Sequence, residues 1–449
     1  MKQNILFFFT DQQRWDTAGC YGQELPVTPN LDRMADQGVR FEHAFTCQPV
    51  CGPARACIQT GKYATEMGTF KNGKALPREE KTIAHYMNDA GYETAYVGKW
   101  HLASEEGGCS YETTAVPEER RGGYKDYWMV SDMLELTSHG YDGYVFDKEN
   151  RKVTFEGYRA DCITDFALDY IRKPKERPYF LMVSYIEPHH QNDNNHFEGP
   201  KGCVEEFRHY KVPGDLTGTG GDWRGEYPDY LGCCNRLDYN LGRIMDELEK
   251  TGQLENTIII YGSDHGCHFR TRNVEYKRSC HDSCIRIPLV IQGGEFSGGK
   301  VVDDLVSLID LPPTFLKMAG IEKPKQMKGN QIQKLMDVEN ADWPKAVFMQ
   351  ISEDKVGRAI RTERYKYAVM APDKDGQNDS NSLVYEEDYL YDLHKDPHER
   401  NNLVNSPDYK EICKELSKLL IEKMDEAGEE RPQILPCSHI NERKYGSCW

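Results

Sequence analysis

Ile5-Leu6-Phe7-Phe8-Phe9-Thr10-Asp11-Gln12 begins with five consecutive apolar residues and then becomes abruptly polar. A short, continuous apolar run that ends in this way is typical of a strand buried on both faces of a parallel sheet. In open α/β sheets, ligands bind outside the carboxyl ends of such strands. We therefore expect Asp11 and Gln12 to lie at the edge of a parallel sheet, within a binding site.

Three later segments repeat this design. Each apolar run ends in ionisable residues: 93–97 precedes Gly98-Lys99-Trp100-His101, 179–185 precedes Glu187-Pro188-His189-His190, and 257–261 precedes Gly262-Ser263-Asp264-His265. The four strand tips are predicted to meet in one pocket. Lys99 and His101 occupy alternate positions, so in an extended segment they would share one side. Of His189 and His190, one is expected to act and the other to be solvated.

Helical patterns lie between the predicted strands, over 82–90, 158–171 and 235–251. This alternation predicts an α/β fold in which helices flank a large, mostly parallel sheet. Segments 104–150 and 191–230 interrupt the alternation as long irregular insertions that would shape substrate choice.

The pattern changes toward the C-terminus. Short strand patterns cover 347–350, 358–362, 365–370 and 389–393. Together with a helical pattern over 409–427, they predict a smaller antiparallel sheet with a helix against it. We therefore expect a catalytic domain over residues 1–340 and a C-terminal α+β subdomain over residues 341–449.

Composition narrows the classes of partner. The chain has 449 residues, a formal net charge of −17 and 15 cysteines. Neither nucleic acid nor a membrane is expected as a partner of so acidic a chain, although a small cationic pocket could still bind an anionic substrate. The N-terminal apolar run is too short for a secretory signal or a membrane span, which predicts a cytoplasmic protein with free thiols. The sequence does not indicate an oligomeric state.

Two oxygen-rich pairs, Asp11-Gln12 and Asp264-His265, predict a divalent-metal site. Either pair alone would more often be a helix cap or a turn, but together they favour a metal. Carboxylate and amide oxygens suit Ca²⁺ or Mg²⁺, whereas an imidazole nitrogen moves the preference toward Mn²⁺. We expect one divalent metal, with Ca²⁺ favoured and Mn²⁺ or Mg²⁺ as alternatives.

Cys51-Gly52-Pro53-Ala54-Arg55 is the most specific motif in the chain. It resembles the sulfatase signature, whose cysteine is oxidised to formylglycine. The resemblance continues in family order through 4–16, 98–102, 187–189, 263–266, Lys277, 285–290, 306–314 and 390–397. The chain therefore resembles the sulfatases of the alkaline phosphatase superfamily, and this implies their fold, with a large mixed, mostly parallel sheet and a smaller C-terminal one.

The resemblance also implies roles for particular residues. It assigns catalysis to Cys51, Arg55, Lys99, His101, His189 and Lys277, and metal binding to Asp11, Gln12, Cys51, Asp264 and His265. Lys99, His189 and Lys277 would also bind the substrate, and Asn72 would contribute a polar contact to the nucleophile. His189, together with Lys277, would protonate the leaving alcohol. The implied partners are a small sulfated substrate, either a carbohydrate or an aryl ester, and a formylglycine-generating enzyme.

Departures from the commonest sulfatase pattern leave alternatives open. Gln12 and His265 resemble the phosphonate monoester hydrolase branch, so a phosphodiesterase or phosphonate monoesterase is the second hypothesis. A third hypothesis is a non-catalytic binder of sugars or polyanions in which Cys51 stays unmodified. Structural zinc is disfavoured because the candidate ligands lack paired C-x-x-C spacing. These candidates are Cys47, Cys51 and Cys57, or Cys233, Cys234, Cys280 and Cys284.

Overall fold

The structure, a computed structural model, describes residues 2–336 and 342–438. Within these residues, one sheet has eleven strands and a second has five. The large sheet contains β1 Asn4–Thr10, β2 Val39–Phe45, β3 Glu93–Lys99, β4 Tyr127–Ser131, β5 Ser138–His139, β6 Asp142–Asp147, β7 Lys152–Glu156, β8 Tyr179–Ser184, β9 Thr257–Ser263, β10 Leu289–Gln292 and β11 Lys300–Ser307. The small sheet contains β12 Ala346–Ile351, β13 Gly357–Thr362, β14 Tyr365–Met370, β15 Val384–Asp392 and β16 Gln433–Leu435.

Most α-helices of the described residues cover the faces of the large sheet or lie in its connections, and the last one packs against the small sheet. They are α1 Pro29–Gln37, α2 Cys51–Thr60, α3 Ala64–Met67, α4 Ile83–Asp89, α5 Leu134–Thr137, α6 Arg159–Arg172, α7 Cys203–Phe207, α8 Trp223–Lys250, α9 Asp282–Ile285, α10 Leu311–Met318 and α11 Lys410–Glu426. None of the described helices combines the length and apolar content needed to cross a membrane.

The large sheet is mixed but mostly parallel at its centre. Its strand order is β11-β2-β10-β9-β1-β8-β3-β4-β6-β5, with β7 paired to β6. The adjacent strands β9, β1, β8, β3 and β4 are all parallel, whereas β10 is antiparallel to both of its neighbours. The predicted α/β architecture is therefore confirmed.

Strand β1 shows why an apolar run rather than an alternating pattern marks the sheet. All seven of its residues are buried. Ile5, Phe7 and Phe9 pack into one hydrophobic cluster with residues of α2, α4 and α10, whereas Leu6 and Phe8 pack into another with residues of α1, α6 and α8. Because helices cover both faces, both faces of the strand must be apolar.

Two segments predicted to be irregular contain regular structure. Segment 104–150 includes β4, which pairs in parallel with β3. Its Trp128 and Val130 side chains are buried. Segment 191–230 includes α7 and the beginning of α8, which starts at residue 223 rather than at 235. Pro228, the sixth residue of α8, obscured this beginning, because a proline inside a helix removes one backbone hydrogen bond and its ring crowds the carbonyl four residues earlier. Burial of Tyr230 and other apolar residues of α8 outweighs that loss.

The smaller sheet follows the prediction with one addition. Strands β12 to β15 are antiparallel, and α11 packs against this sheet. The fifth strand, β16, pairs in parallel with β15 and was not predicted. The predicted domain boundary after residue 340 falls within 337–341, which lies outside the described residues, so the division into two domains stays a prediction.

Candidate active site

The four predicted strand tips meet at one edge of the large sheet. Strands β9, β1, β8 and β3 are consecutive parallel neighbours, so their carboxyl ends emerge side by side. They are followed by Asp264, Asp11, His189 and His101, respectively, while Lys99 ends β3 itself. The predicted convergence of these segments is therefore confirmed.

Asp11 is the buried anchor of the cluster. One carboxylate oxygen, Oδ1, lies 3.2 Å from the Cys51 Sγ. The other, Oδ2, accepts a hydrogen bond from Arg55 at 2.9 Å and pairs with the Lys99 Nζ at 3.0 Å. Burial alone would raise the pKa of Asp11, but Lys99 and the other nearby cations hold it well below its usual range. Asp11 is therefore an ionised acceptor at neutral pH.

Four side chains bring metal-binding atoms together. The donor atoms of Asp11, Cys51, Asp264 and His265 lie within 4.8 Å of one another, the one such group among the described residues. Two further observations fit a cation at this position. The Asp264 Oδ2 and the Gln12 Oε1 are both buried without a hydrogen-bond partner. Such atoms are rare in native proteins unless a ligand or ion completes them.

The surrounding contacts orient these donor atoms. The Gln12 backbone N–H donates to the Asp264 Oδ1 at 2.9 Å, and Gln12 has a left-handed φ of 69°. The His265 Nδ1 lies 2.9 Å from the Gly266 carbonyl oxygen, which can only accept a hydrogen bond. The proton is therefore on Nδ1, and the Nε2 lone pair faces the cluster. Burial, followed by repulsion from Asp11, raises the pKa of Asp264 to about 7, so a cation would stabilise its ionised form.

Cys51 and Lys277 lie in direct contact on one side of the cluster. Cys51 is the first residue of α2 and is almost completely buried. The Lys277 Nζ lies 2.7 Å from the Cys51 Sγ and 3.0 Å from the His189 Nε2. The His189 Nδ1 donates to the His190 carbonyl oxygen at 2.6 Å, so its Nε2 is free to accept from Lys277.

Lys99 and His101 come together in a different way from that predicted. His101 has a left-handed φ of 59°, so the segment is not extended, and alternation along a strand is the wrong reason for their proximity. The Lys99 Nζ also contacts the Glu135 Oε1 at 3.1 Å. Both ring nitrogens of His101 are buried without a hydrogen-bond partner. Burial, and then the charge of Lys99, lowers the pKa of His101 to about 3, so its ring is neutral.

Arg55 and Asn72 hold the segment around Cys51. Arg55 lies one helical turn after Cys51, and besides Asp11 it donates to the Ser184 Oγ at 2.7 Å. The Asn72 Oδ1 accepts a hydrogen bond from the Gly52 N–H at 3.0 Å, directly beside Cys51. All eleven residues predicted for the site therefore belong to one connected cluster, although their individual roles stay predictions.

The sequence reasoning missed two neighbours of this cluster. Glu135 lies just beyond β4, within the predicted insertion over residues 104–150. The run Trp128-Met129-Val130 before polar Ser131 is the same signal as in the other strands and could have identified it. His190 is not solvated as one of the two histidines was expected to be. It is buried, and its ring stacks on His189 with centroids 4.7 Å apart.

The cysteines do not form a zinc site within the described residues. Among the proposed zinc ligands, Cys51 alone belongs to the metal-binding group. The fourteen described cysteines are all free of disulfide bonds.

Residues 3–321 match the family model described as sulfatase, and residues 274–426 match the C-terminal model of N-sulphoglucosamine sulphohydrolase. The chain belongs to the sulfatase family. The protein is thus a sulfuric ester hydrolase, and the two matches together run through both sheets.

Two bacterial relatives of this sulfatase match nearly its whole length. It is 27% identical over 519 residues to an N-acetylglucosamine-6-O-sulfatase of Bacteroides thetaiotaomicron, covering 96% of this chain and 88% of that protein. It is 30% identical over 460 residues to an uncharacterized sulfatase of Escherichia coli, covering 94% and 87%.

Two solved structures resemble this sulfatase over nearly its whole length, at different levels of sequence identity. One protein, solved with its substrate D-glucosamine-2-N,6-O-disulfate, has a TM-score of 0.78 and 26% identity, with 96% of this sulfatase and 99% of that chain covered. A phosphonate monoester hydrolase of Agrobacterium radiobacter has a TM-score of 0.73 and 19% identity, with 95% and 96% covered. The second likeness is one of fold alone.

Proposed function

We propose that this sulfatase hydrolyses the 6-O-sulfate ester of a glucosamine derivative. The observation that carries the proposal is what was matched over 96% of this chain in two comparisons. The relative is named for N-acetylglucosamine 6-O-sulfate, and the solved structure holds a glucosamine that carries a 6-O-sulfate. A sulfated carbohydrate therefore has more support as the substrate than a simple aryl ester.

The proposal includes Ca²⁺ as the metal and formylglycine at position 51. The family implies both groups, and the unpartnered oxygens of Gln12 and Asp264 support an oxygen-binding cation. When bound, the cation supplies a Lewis acid, and the modified side chain supplies the oxygen nucleophile. Asp11 and Asp264 would hold the cation with Gln12 and His265.

In this proposal, Lys277 carries the proton for the leaving alcohol. Its Nζ lies between residue 51 and the His189 Nε2, within 3.0 Å of each side chain. Burial, followed by the charge of Lys277, lowers the pKa of His189 well below its usual value, so His189 is the neutral acceptor of the pair. The Lys277 Nζ can then donate to a leaving oxygen, with His189 orienting it.

The remaining residues neutralise charge and accept a proton. Lys99, paired with Asp11, would bind a sulfuryl oxygen as negative charge develops on it. Arg55 holds the Asp11 carboxylate and the backbone carbonyl of Lys99 in place. The neutral His101 ring, with both nitrogens unpartnered, is available as a base at residue 51.

The test compares sulfate positions and ester types. Purified enzyme is assayed on N-acetylglucosamine-6-sulfate, glucosamine-2-N,6-O-disulfate, the 3-O-sulfated isomer, 4-nitrocatechol sulfate and phenyl phosphonate monoesters. We expect the highest kcat/KM on a 6-O-sulfated glucosamine. A higher value on the phosphonate monoester would favour the second hypothesis, for which Gln12 and His265 are the motivation. Peptide mass spectrometry around Cys51 tests the modification in the same sample, and an unmodified thiol in active enzyme would contradict it.

A cytoplasmic location and a formylglycine-generating partner also stay proposals. The free thiols of the described cysteines support a reducing compartment. Because Cys51 is buried, a modifying enzyme would need to reach it before the chain folds. Cell fractionation, and expression with and without a maturation enzyme, would test the two proposals separately.

A further inference from the structure

Glu353 connects the smaller sheet to two segments of the active site. It lies just beyond β12, and its side chain is only 3% exposed. Its Oε1 accepts a hydrogen bond from the Asn72 N–H at 2.7 Å, and its Oε2 pairs with the Arg278 guanidinium at 2.6 Å. Arg278 directly follows Lys277, and Asn72 is bonded to Gly52. A single carboxylate therefore reaches both sides of the reacting pair.

Neighbouring contacts reinforce this connection. The Gln350 N–H donates to the Cys47 carbonyl at 2.9 Å, and the Gln48 Nε2 donates to the Ser352 Oγ at 2.8 Å. The Arg278 N–H donates to the Pro49 carbonyl at 3.2 Å. The segment that leads into Cys51 is thus held between the end of β12 and the Lys277 segment.

Backbone geometry at Glu353 resembles that of the site residues. Its φ is 65°, and that of Arg278 is 71°, both in the left-handed region that side chains other than glycine rarely adopt. The Glu353 N–H donates to the Gly376 carbonyl, and the Glu353 carbonyl accepts from the Gln377 Nε2. Residues held in such conformations cluster at functional sites, where the surrounding structure maintains them.

We propose that Glu353 is a positioning residue for the sulfatase reaction. It does not touch the reacting atoms. Through Arg278 it fixes the segment that presents the Lys277 Nζ, and through Asn72 it fixes the start of α2, which presents residue 51. The proposal rests on the sulfatase chemistry above but not on the identity of the sugar.

Glu353→Gln removes the ion pair with Arg278 and keeps the hydrogen bond from Asn72. The amide oxygen can still accept from the Asn72 N–H, but the amide cannot form an ion pair with Arg278. A misplacement of about 1 Å can cost roughly 100-fold in rate, so we expect kcat to fall between about 10-fold and 100-fold. KM should change by less than about threefold, because Glu353 does not contact substrate. The matched control is Glu363→Gln, which changes an exposed glutamate in the turn between β13 and β14 and should behave like wild type.

A double-mutant cycle separates positioning from general destabilisation. Arg278→Met should lower kcat to a similar extent, and the combination with Glu353→Gln should lose little more than either single variant. Rates are measured on N-acetylglucosamine-6-sulfate and on 4-nitrocatechol sulfate and normalised to formylglycine content. Additive losses, or losses that follow the folded fraction in thermal unfolding, would overturn the proposal.

A readout without turnover keeps this test independent of the proposed substrate. A crystal structure of Glu353→Gln should show the Lys277 Nζ displaced from residue 51 or divided between positions. A variant structure in which that contact is unchanged would overturn the proposal, whichever substrate the wild-type enzyme prefers. A different outcome is also distinguishable. If the wild-type enzyme hydrolyses none of the 6-O-sulfated sugars but the variant structure shows an altered Lys277 position, only the substrate assignment is contradicted.

Discussion

Two buried clusters of charged side chains in this sulfatase have similar compositions, but they differ in whether all of their buried oxygens have hydrogen-bond partners. The active site combines Asp11 and Asp264 with Arg55, Lys99 and Lys277. The second cluster, called here the α9 cluster, consists of Asp282, Arg361, Lys366 and Glu399. Lys366 contacts the carboxylates of both Asp282 and Glu399, and the Asp282 N–H donates to the Glu399 Oε2 at 2.8 Å.

The clusters differ in their unpartnered oxygens. The carboxylates of the α9 cluster, all of it within the described residues, leave no buried oxygen without a partner. In the active site, by contrast, the Asp264 Oδ2, the Gln12 Oε1 and the Glu135 Oε2 are buried and accept no hydrogen bond, and the Asp264 Oδ2 has only the Arg55 Nε at 3.6 Å. In the α9 cluster the atom without a hydrogen bond is a donor, the Arg361 Nε, so this cluster fastens the smaller sheet to α9 without leaving a buried acceptor for a ligand. Buried charge alone therefore does not mark a catalytic site, and the open acceptors of the active site are informative because they lie beside the metal-binding atoms.

The largest fall in kcat should come from removing Cys51, the residue that would supply the proposed nucleophile. Cys51→Ala should lower kcat by about 10⁶-fold, because loss of a covalent nucleophile removes the reaction path rather than one contact. The unfolding free energy should fall by only about 1 kcal/mol, as expected for a buried Cys→Ala substitution. Turnover assays and thermal unfolding of the same preparation would measure both effects.

The matched control for that variant is Cys57→Ala. Cys57 is a second buried thiol on the same helix and lies outside the metal-binding group. Its loss should leave kcat close to that of wild type and lower stability by about 1 kcal/mol. Normal turnover by Cys51→Ala would remove this residue from the mechanism.

The next largest loss of activity should come from removing the cation that the buried, unpartnered oxygens of Asp264 and Gln12 would bind. Removal of divalent cations with EDTA should lower activity by about 10³-fold, since a Lewis acid contributes several kcal/mol of transition-state stabilisation. Thermal unfolding should also shift downward, because the cation binds only the folded state. Calcium, manganese and magnesium are then added back separately. Full activity of the chelated enzyme, with metal absent by elemental analysis, would contradict the metal assignment.

Much of this arrangement was readable from the sequence because it depends on local signals. The apolar runs of β1, β8 and β9 mark strands buried on both faces, and the residues that follow such strands must lie at one sheet edge. The N-terminal part of α8 was hidden because Pro228 interrupts the helical pattern, and only burial in the folded protein shows that the helix continues.

The unpredicted parts of the site depend on contacts between distant segments. Glu135 reaches Lys99 only because β4 pairs with β3. Glu353 reaches Asn72 across 281 positions of the chain. No spacing rule joins such residues, since their proximity is a consequence of how the two sheets pack. The sequence could identify the eleven candidate site residues but not Glu135 and Glu353, the two carboxylates that reach them from other segments.

The α9 cluster predicts an effect on stability without an effect on catalysis. Lys366→Met would leave two buried carboxylates without their shared cation, which should cost about 3 kcal/mol of unfolding free energy. The kcat of the folded fraction should stay within about twofold of wild type. Urea unfolding and rate measurements on one sample would test this separation. The control is Lys345→Met, which removes an exposed surface pair with Asp304 and should cost less than about 0.5 kcal/mol. A large fall in kcat for Lys366→Met would show that the two clusters are coupled.

The smallest expected effect is on acid stability. Burial alone would raise the pKa of Asp282, but Lys366 and then Arg361 lower it below its usual value. Between that folded pKa and the unfolded value of about 3.9, the unfolded chain binds more protons, so unfolding free energy falls as pH falls. Asp282 therefore contributes stability above about pH 4 and loses it in stronger acid. Lys366→Met weakens the pKa depression, so the variant has less stability to lose as the pH falls below about 4, and over the whole acid range its loss should be smaller by about 1.4 kcal/mol for each pKa unit of depression removed. Asp11 also has a lowered pKa, but it is common to both proteins and cancels in the difference. Equal slopes in urea unfolding series for the variant, Lys345→Met and wild type would mean that Lys366 does not set the ionisation of Asp282.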